Sequence, residues 1–252
     1  MRIAAIYDIH GNLPALEAVL EEIRAAKVDH LIVGGDIVPG PMPRETLDRL
    51  LRFDVPAQFI QGNCEVAMLA EIAERDSSRM PEQARETVRW AAQQFSEDYM
   101  GRVRDWPKTV SLHADGLGEV LFCHATPRDE NEIFTRQTPD EHVAPAFQGV
   151  TASVVVCGHT HMQFDRRVGQ VRVVNAGSVG MPFGEPGAYW LLLGSDVQLR
   201  RTAYDLTTAA ERIRATRYPQ ADDFVSHFLL EPPTEAQMLD VFAKAAMGPV
   251  TR

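Results

Sequence analysis

Residues 2–12 read Arg2-Ile3-Ala4-Ala5-Ile6-Tyr7-Asp8-Ile9-His10-Gly11-Asn12. An apolar run of strand length stops abruptly at a polar segment. Isoleucine at both 3 and 6 predicts a short buried strand over 2–7, followed by a loop at 8–12. Leu13, Leu16, Leu20 and Ile23 then fall at helical spacing, with Glu17, Glu21 and Arg24 on the other side, which predicts a helix over 13–26. The same unit recurs. A strand over 30–33 ends in Gly34-Gly35-Asp36, a helix covers 44–51, and a strand over 58–60 ends in Gly62-Asn63. This β-loop-α rhythm implies parallel strands joined by crossover helices.

After Cys64 the pattern changes. Residues 65–104 read as helix, broken in two at Pro81. Strand candidates follow at 110–113, 120–123 and 153–157, and the last two run into Cys123-His124 and Cys157-Gly158-His159. A strand over 171–174 leads to Asn175-Ala176-Gly177-Ser178, and a hairpin over 189–193 and 197–203 turns at Gly194-Ser195. Helices are expected over 205–216 and 234–247, the second set off by Pro232-Pro233. The domain reading is one unit over 1–252, with a core to about 203 and a helical C-terminal extension from about 204.

Composition narrows the class. The chain has 252 residues, 45% hydrophobic and 24% charged, which suits a soluble globular enzyme. A formal net charge of −10 argues against bulk nucleic-acid binding, which needs a basic face. It leaves a nucleotide substrate open, because bound metal ions reverse the local field. No apolar run reaches bilayer length and no signal-peptide pattern opens the chain, so neither a membrane span nor a secretory leader is expected. Cysteines at 64, 123 and 157 form no C-x-x-C pair, which fits a reducing cytoplasm.

The chemistry-bearing residues are not scattered. Asp8, Asp36, Asn63, His124 and His159 each follow a predicted strand, immediately or shortly. In an α/β sheet such positions line up along one edge, at the carboxyl ends of the strands, where ligands bind. Asp8 and His10 alternate, so both reach one site only if the loop turns between them. His159 and His161 repeat that spacing. Mixed carboxylate and imidazole ligands favour Mn²⁺, Fe, Zn²⁺, Ni²⁺ or Co²⁺ over Mg²⁺ or Ca²⁺. Seven candidates exceed one tetrahedral ion and suffice for two ions sharing a carboxylate. Two metals about 3.5–4 Å apart activate a bridging water and stabilise the attacked phosphoryl group. Taken singly, an Asp or Asn after a strand is an ordinary turn signal; the weight lies in the set and its order. His30, His113, His142 and His227 match no motif and read as solvated or structural.

Asp8-Ile9-His10-Gly11-Asn12, Gly35-Asp36, Gly62-Asn63-Cys64-Glu65, His124 and Gly158-His159-Thr160-His161, in that order, resemble the calcineurin-like metallophosphoesterase superfamily. The nearest likeness is to its small prokaryotic branch, the YfcE-type phosphodiesterases. The resemblance implies an α/β (α+β) fold: a four-layer αββα sandwich of two mixed sheets flanked by helices, here with the C-terminal helical extension added. It also implies roles. Asp8, His10 and His161 would hold a first metal, Asn63, His124 and His159 a second, and Asp36 would bridge. Hydroxide between two divalent transition-metal ions, Mn²⁺ foremost, would attack the phosphorus of a nucleotide or other small phosphodiester, with Asp36, Asn63 and His124 in the catalytic set.

The superfamily often carries histidine where Cys64 stands, and that histidine helps protonate the leaving group. A thiol is a weak donor, so esters with good leaving groups are expected. Cys64 is read as a pocket-lining residue, Asn12 as a substrate contact and Arg128 as a bidentate phosphate ligand. The glycines of 175–180, in a segment that resembles the branch's Asn-Pro-Gly-Ser, are expected to let the chain turn close to the site. Residues 65–104 and 205–252 exceed a minimal core and are expected to cap the site or mediate dimer contact. The alternatives are hydrolysis of dinucleoside polyphosphates or phosphomonoesters and, in another class, a non-catalytic protein-binding scaffold on the same fold.

Overall fold

Strand β1 (Ile3–Ile6) alternates its side chains between two cores. Ala4 and Ile6 face a cluster built with helix α1 (Leu13–Ala25), while Ile3, Ala5 and the following Tyr7 face a second sheet. Both faces are therefore covered, which is why this strand reads as unbroken apolar sequence. A computed structural model describes residues 1–73 and 82–247.

The remaining early elements are β2 (His30–Val33), α2 (Pro43–Leu51), β3 (Ala57–Phe59), α3 (Asn63–Ile72), α4 (Glu82–Ala92) and α5 (Glu97–Arg104). They are followed by β4 (Thr109–Ala114), β5 (Gly118–Cys123), α6 (Asp140–Val143), β6 (Val154–Cys157), β7 (Phe164–Val168) and β8 (Val171–Asn175). The chain closes with β9 (Ala188–Leu193), β10 (Val197–Thr202), α7 (Leu206–Arg214), α8 (Ala221–Phe224) and α9 (Glu235–Ala245). The first sheet has the order β10-β9-β1-β2-β3, with β1, β2 and β3 parallel. The second has the order β4-β5-β6-β8-β7, with β5, β6 and β8 parallel. Each sheet is mixed, and helices flank the pair.

The layering follows from strand periodicity. In β6, Val154 and Val156 point to the inter-sheet core and Val155 and Cys157 to an outer core with Phe134, Val143 and Phe147. Tyr7 crosses between the sheets: its buried hydroxyl donates to the Val156 carbonyl at 3.1 Å. The three cysteines are free thiols. No helix among the described residues is long and apolar enough to cross a membrane.

Two readings need correction. The strand ends that carry the candidate ligands do not share one sheet. Asp8, Asp36 and Asn63 follow β1, β2 and β3 of the first sheet, and His124 and His159 follow β5 and β6 of the second. Strand periodicity locates each residue at a strand end but does not say which strands pair. Strand β7 also went unread, because Asp165, Arg166 and Arg167 interrupt the apolar pattern; charged edge strands are common, since they block edge-to-edge pairing. The described part of 65–104 holds helices α3, α4 and α5, where a break into two at Pro81 was expected, and residues 74–81 lie outside the described residues.

The extension packs on the core. Asp205 caps α7 by accepting from the Thr207 and Thr208 amides, and Arg212 pairs with Glu17 of α1 at 2.7 Å. Ala209, Ala210, Ile213, Phe224, Val225 and Leu229 bury against Leu13 and Met42. Helix α9 starts in a reciprocal Thr234–Gln237 cap.

Replacing Tyr7 with Phe removes the inter-sheet hydrogen bond and leaves the rest of the ring in place. Stability should fall by about 1 kcal/mol. Urea unfolding measures this, and an unchanged midpoint would show that the contact contributes nothing.

Candidate metal centre

The loops after the strands turn sharply. Asp8, His10, Asp36, His159 and His161 all have positive φ, between 47° and 68°; Lys27 is the one other non-glycine described residue that does. Asp and His enter this region more readily than most side chains, yet each such residue costs about 1 kcal/mol or more. Strain concentrated this way persists only where surrounding contacts over-determine it. The turn expected between Asp8 and His10 is thus present, and it brings both side chains to one place.

Backbone hydrogen bonds hold these turns. The Asp8 amide donates to the Gly35 carbonyl at 3.1 Å, His10 to Asp36 at 2.9 Å and Gly11 to Ile37 at 2.8 Å. Glu65, at the start of α3, locks the Asp36 loop. Its buried carboxylate accepts from the amides of Asp36, Ile37 and Gly62, each at 2.8 Å. The signal for this role in the sequence is the place of Glu65 three residues after Gly62, at a helix start. Gly62 is needed because a Cβ there would sit 2.2 Å from Asp36 Oδ1. Gly180 is needed because its Cβ would sit 1.8 Å from the Ile9 carbonyl oxygen, so the 175–180 segment does pass close to the site loop.

The side chains converge from both sheets. One group is Asp8, His10 and His161; another is Asp36, His124 and His159; a third joins His10, Asp36 and Cys64, and in each the potential ligand atoms lie within 4.8 Å of one another. His10 Nε2 faces His161 Nε2 at 3.2 Å, and His124 Nε2 lies 2.9 Å from Asn63 Oδ1 and 3.5 Å from Asp36 Oδ1. Asp8 Oδ2 accepts from the His159 amide at 2.9 Å. All seven sequence-derived ligands therefore meet.

The donor set fits divalent metal. Asp8 Oδ1 is buried and has no hydrogen-bond partner, while His161 Nε2 stands 3.5 Å from it. Buried carboxylate oxygens are rarely left so. The imidazoles are aimed as ligands. His124 Nδ1 meets the Gly34 carbonyl at 2.9 Å and His161 Nδ1 meets that of Met181 at 2.7 Å. Each Nδ1–H donates outward, which turns the Nε2 lone pair into the cluster. Phe183 stacks on the His161 ring at 5.3 Å, and Phe242 of α9 packs behind Phe183 at 6.1 Å.

Charge is balanced internally. Burial would raise the Asp8 carboxyl, but His161, then His124 and His10, hold it at about 2. Burial, then the nearby His161, depresses His10 to about 4; burial and His124 do the same to His159. Burial also works against protons on His124 and His161, but Asp36 and Asp8 outweigh it for the first, and Asp8 for the second, so both are raised. Asp8 thus lies among His10, His124 and His161, whose proton affinities its charge raises against the opposing effect of burial. Burial and then the Asp36 charge push the Cys64 thiol well up, and its Sγ donates to Asp36 Oδ2 at 3.0 Å.

Two of the residues read as substrate contacts have partners within the chain. Asn12 is fully buried and fully engaged: Oδ1 caps α1 through the Ala15 amide, and Nδ2 donates to the Gly180 carbonyl and Tyr204 hydroxyl. An Asn before an apolar helix is an ordinary N-cap, and here that role wins. Arg128 pairs with Glu132, Nε to Oε1 at 2.8 Å, and does not line the cavity beside the ligands. Cys64 does line it. This cavity, of about 550 Å³, opens on His10 and Cys64, with Thr87 of α4 and Tyr218, Phe224 and Phe228 of the extension on its far side.

Comparison with known proteins agrees with this geometry. The family described as the calcineurin-like phosphoesterase superfamily domain matches residues 1–196. The chain belongs to that superfamily. Protein MJ0912 of Methanocaldococcus jannaschii is 26% identical over 238 residues, covering 86% of this chain and 94% of its own length. Among solved structures, a metallophosphoesterase from Sphaerobacter thermophilus is 27% identical with TM-score 0.69, covering 90% of this chain and 98% of its own. PH1004 from Pyrococcus horikoshii OT3 shares the fold with TM-score 0.76 at 20% identity, covering 92% of this chain and 99% of its own. The fit to PH1004 covers more of this calcineurin-like chain than the 1–196 that the family matches.

Metal uptake requires neutral imidazoles, and His124 and His161 hold protons more tightly than free histidine. Uptake should therefore expel protons, and affinity should fall as pH drops through the neutral range. Titration calorimetry in buffers of different ionisation enthalpy measures both. Affinity independent of pH would contradict the ligand assignment.

Proposed function

We propose that the chain is a phosphodiesterase dependent on two divalent transition-metal ions, with Mn²⁺ the foremost candidate, acting in the cytoplasm on a nucleotide or other small diester. One ion would be held by Asp8, His10 and His161, the other by Asn63, His124 and His159, with Asp36 shared. The observation that carries this reading is the partnerless, buried Asp8 Oδ1 facing the Nε2 atoms of His161 and His124, at 3.5 and 3.9 Å. When bound, such ions polarise the phosphoryl oxygen and lower the pKa of water to near neutrality.

The chain's own residues do the rest. Glu65 and the Gly62 turn fix Asp36, and the Gly34 and Met181 carbonyls fix the faces of His124 and His161. Cys64 stays a thiol and donates to Asp36, which leaves it a poor proton donor to a leaving group. That favours esters whose leaving group needs no proton. Asp223 lines the same cavity, which disfavours a polyphosphate chain along that wall.

Asp36→Asn should lower turnover of bis-p-nitrophenyl phosphate in added Mn²⁺ by at least about a hundredfold. Full activity in this variant would refute the shared-ligand role. Cys64→His should raise turnover of p-nitrophenyl phosphate relative to the diester. An unchanged ratio would remove position 64 from leaving-group chemistry.

A further inference from the structure

The cavity beside the ligands has two unlike sides. One side is the centre itself, through His10 and Cys64. The other comes from outside the region that the family covers. Tyr218, Phe224 and Phe228 stand there, beside Met181 and Thr87 of the matched region. The aromatic rings form a connected series: Trp90 meets Tyr218 edge-on at 5.2 Å, Tyr218 meets Phe224 at 6.3 Å, and Phe224 meets Phe228 at 5.9 Å. Phe224 is buried and Tyr218 nearly so, while Phe228 remains partly open to the cavity. The backbone there is unusual. Residues Val225–Leu230 wind as a π-helix, a form that recurs at functional sites, and Phe228 lies inside it.

An anchored ring series whose Phe228 end is partly open to the cavity suits a flat, uncharged partner. Aromatic faces stack on planar groups without demanding a particular hydrogen-bond pattern. A volume of about 550 Å³ falls in the range of small-molecule sites. Asp223, exposed on the same wall, disfavours further anionic groups. We infer that this wall of the C-terminal extension binds the planar aromatic part of a phosphoester, such as a nucleobase or phenyl group, while the phosphoryl group sits against the ligand cluster. The inference rests on the phosphoesterase reading and assigns the extension a substrate class.

The test compares phenylphosphonate with methylphosphonate, which cannot be hydrolysed at the carbon–phosphorus bond by ester cleavage. Both are titrated into the full-length, Mn²⁺-loaded protein. Phenylphosphonate should bind about tenfold more tightly. Phe228→Ala should close most of that gap, and Phe228→Leu, which keeps apolar bulk but no ring, should close part of it. Equal affinities in the unmodified protein, no binding of either, or a uniform loss in Phe228→Ala would overturn the inference. Turnover of methyl p-nitrophenyl phosphate is read separately. Its absence would count against the phosphoesterase reading while the affinity ratio still decides the wall.

Discussion

Asp8 is the point at which the two sheets become one site. Its amide and carbonyl bind the first sheet's loop and the 178–180 turn, through Gly35, Ser178 and Gly180. Its Oδ2 takes the His159 amide, which belongs to the second sheet. Its Oδ1 is left facing the imidazoles. A left-handed backbone at Asp8 is needed for all of this at once. The neighbouring Tyr7 adds the inter-sheet hydrogen bond just below. Sheet packing, loop strain and ligand geometry are therefore set at two adjacent residues, and a shift between the sheets would separate the ligand groups.

Strain and support are distributed in the same pattern. Of the six described non-glycine residues with left-handed backbone, all but Lys27 are candidate ligands, and their loops are pinned by donors or acceptors from other elements. Glu65 does this for Asp36, the Gly34 and Met181 carbonyls for two imidazoles, and Phe183 for the His161 ring. Folding stability is thereby committed to holding buried carboxylates and histidines in a geometry that cations would relieve.

Much of this was legible in the sequence, for physical reasons. Strand ends marked by Gly-Asp, Gly-Asn and Gly-His-Thr-His are local signals, because tight turns demand small residues and leave polar side chains exposed at the tip. Pairing is not local, which is why five strand ends that read as one edge divide between two sheets. Asn12 was read as a substrate contact, and the structure instead shows it buried and capping α1. Glu65 was in view, but its partners lie 28 and 29 residues away in the chain. The extension's aromatic wall left no periodic signal, since a short helix with two aspartates leads into a π-helix of different period.

The extension also changes what position 64 means. A thiol bound to Asp36 gives little help to a departing alkoxide, while an aromatic wall opposite it would hold the organic group of the ester. On the proposed reading, both features bear on the identity of the ester, while the candidate metal ligands come from the core. The claim on which the account stands is the division of seven residues into two ion sites with Asp36 between them. Anomalous diffraction from crystals grown with Mn²⁺ tests it most directly. The account predicts two peaks, one among Asp8, His10 and His161 and one among Asn63, His124 and His159, both in contact with Asp36. A single peak, or peaks held by other residues, would contradict it.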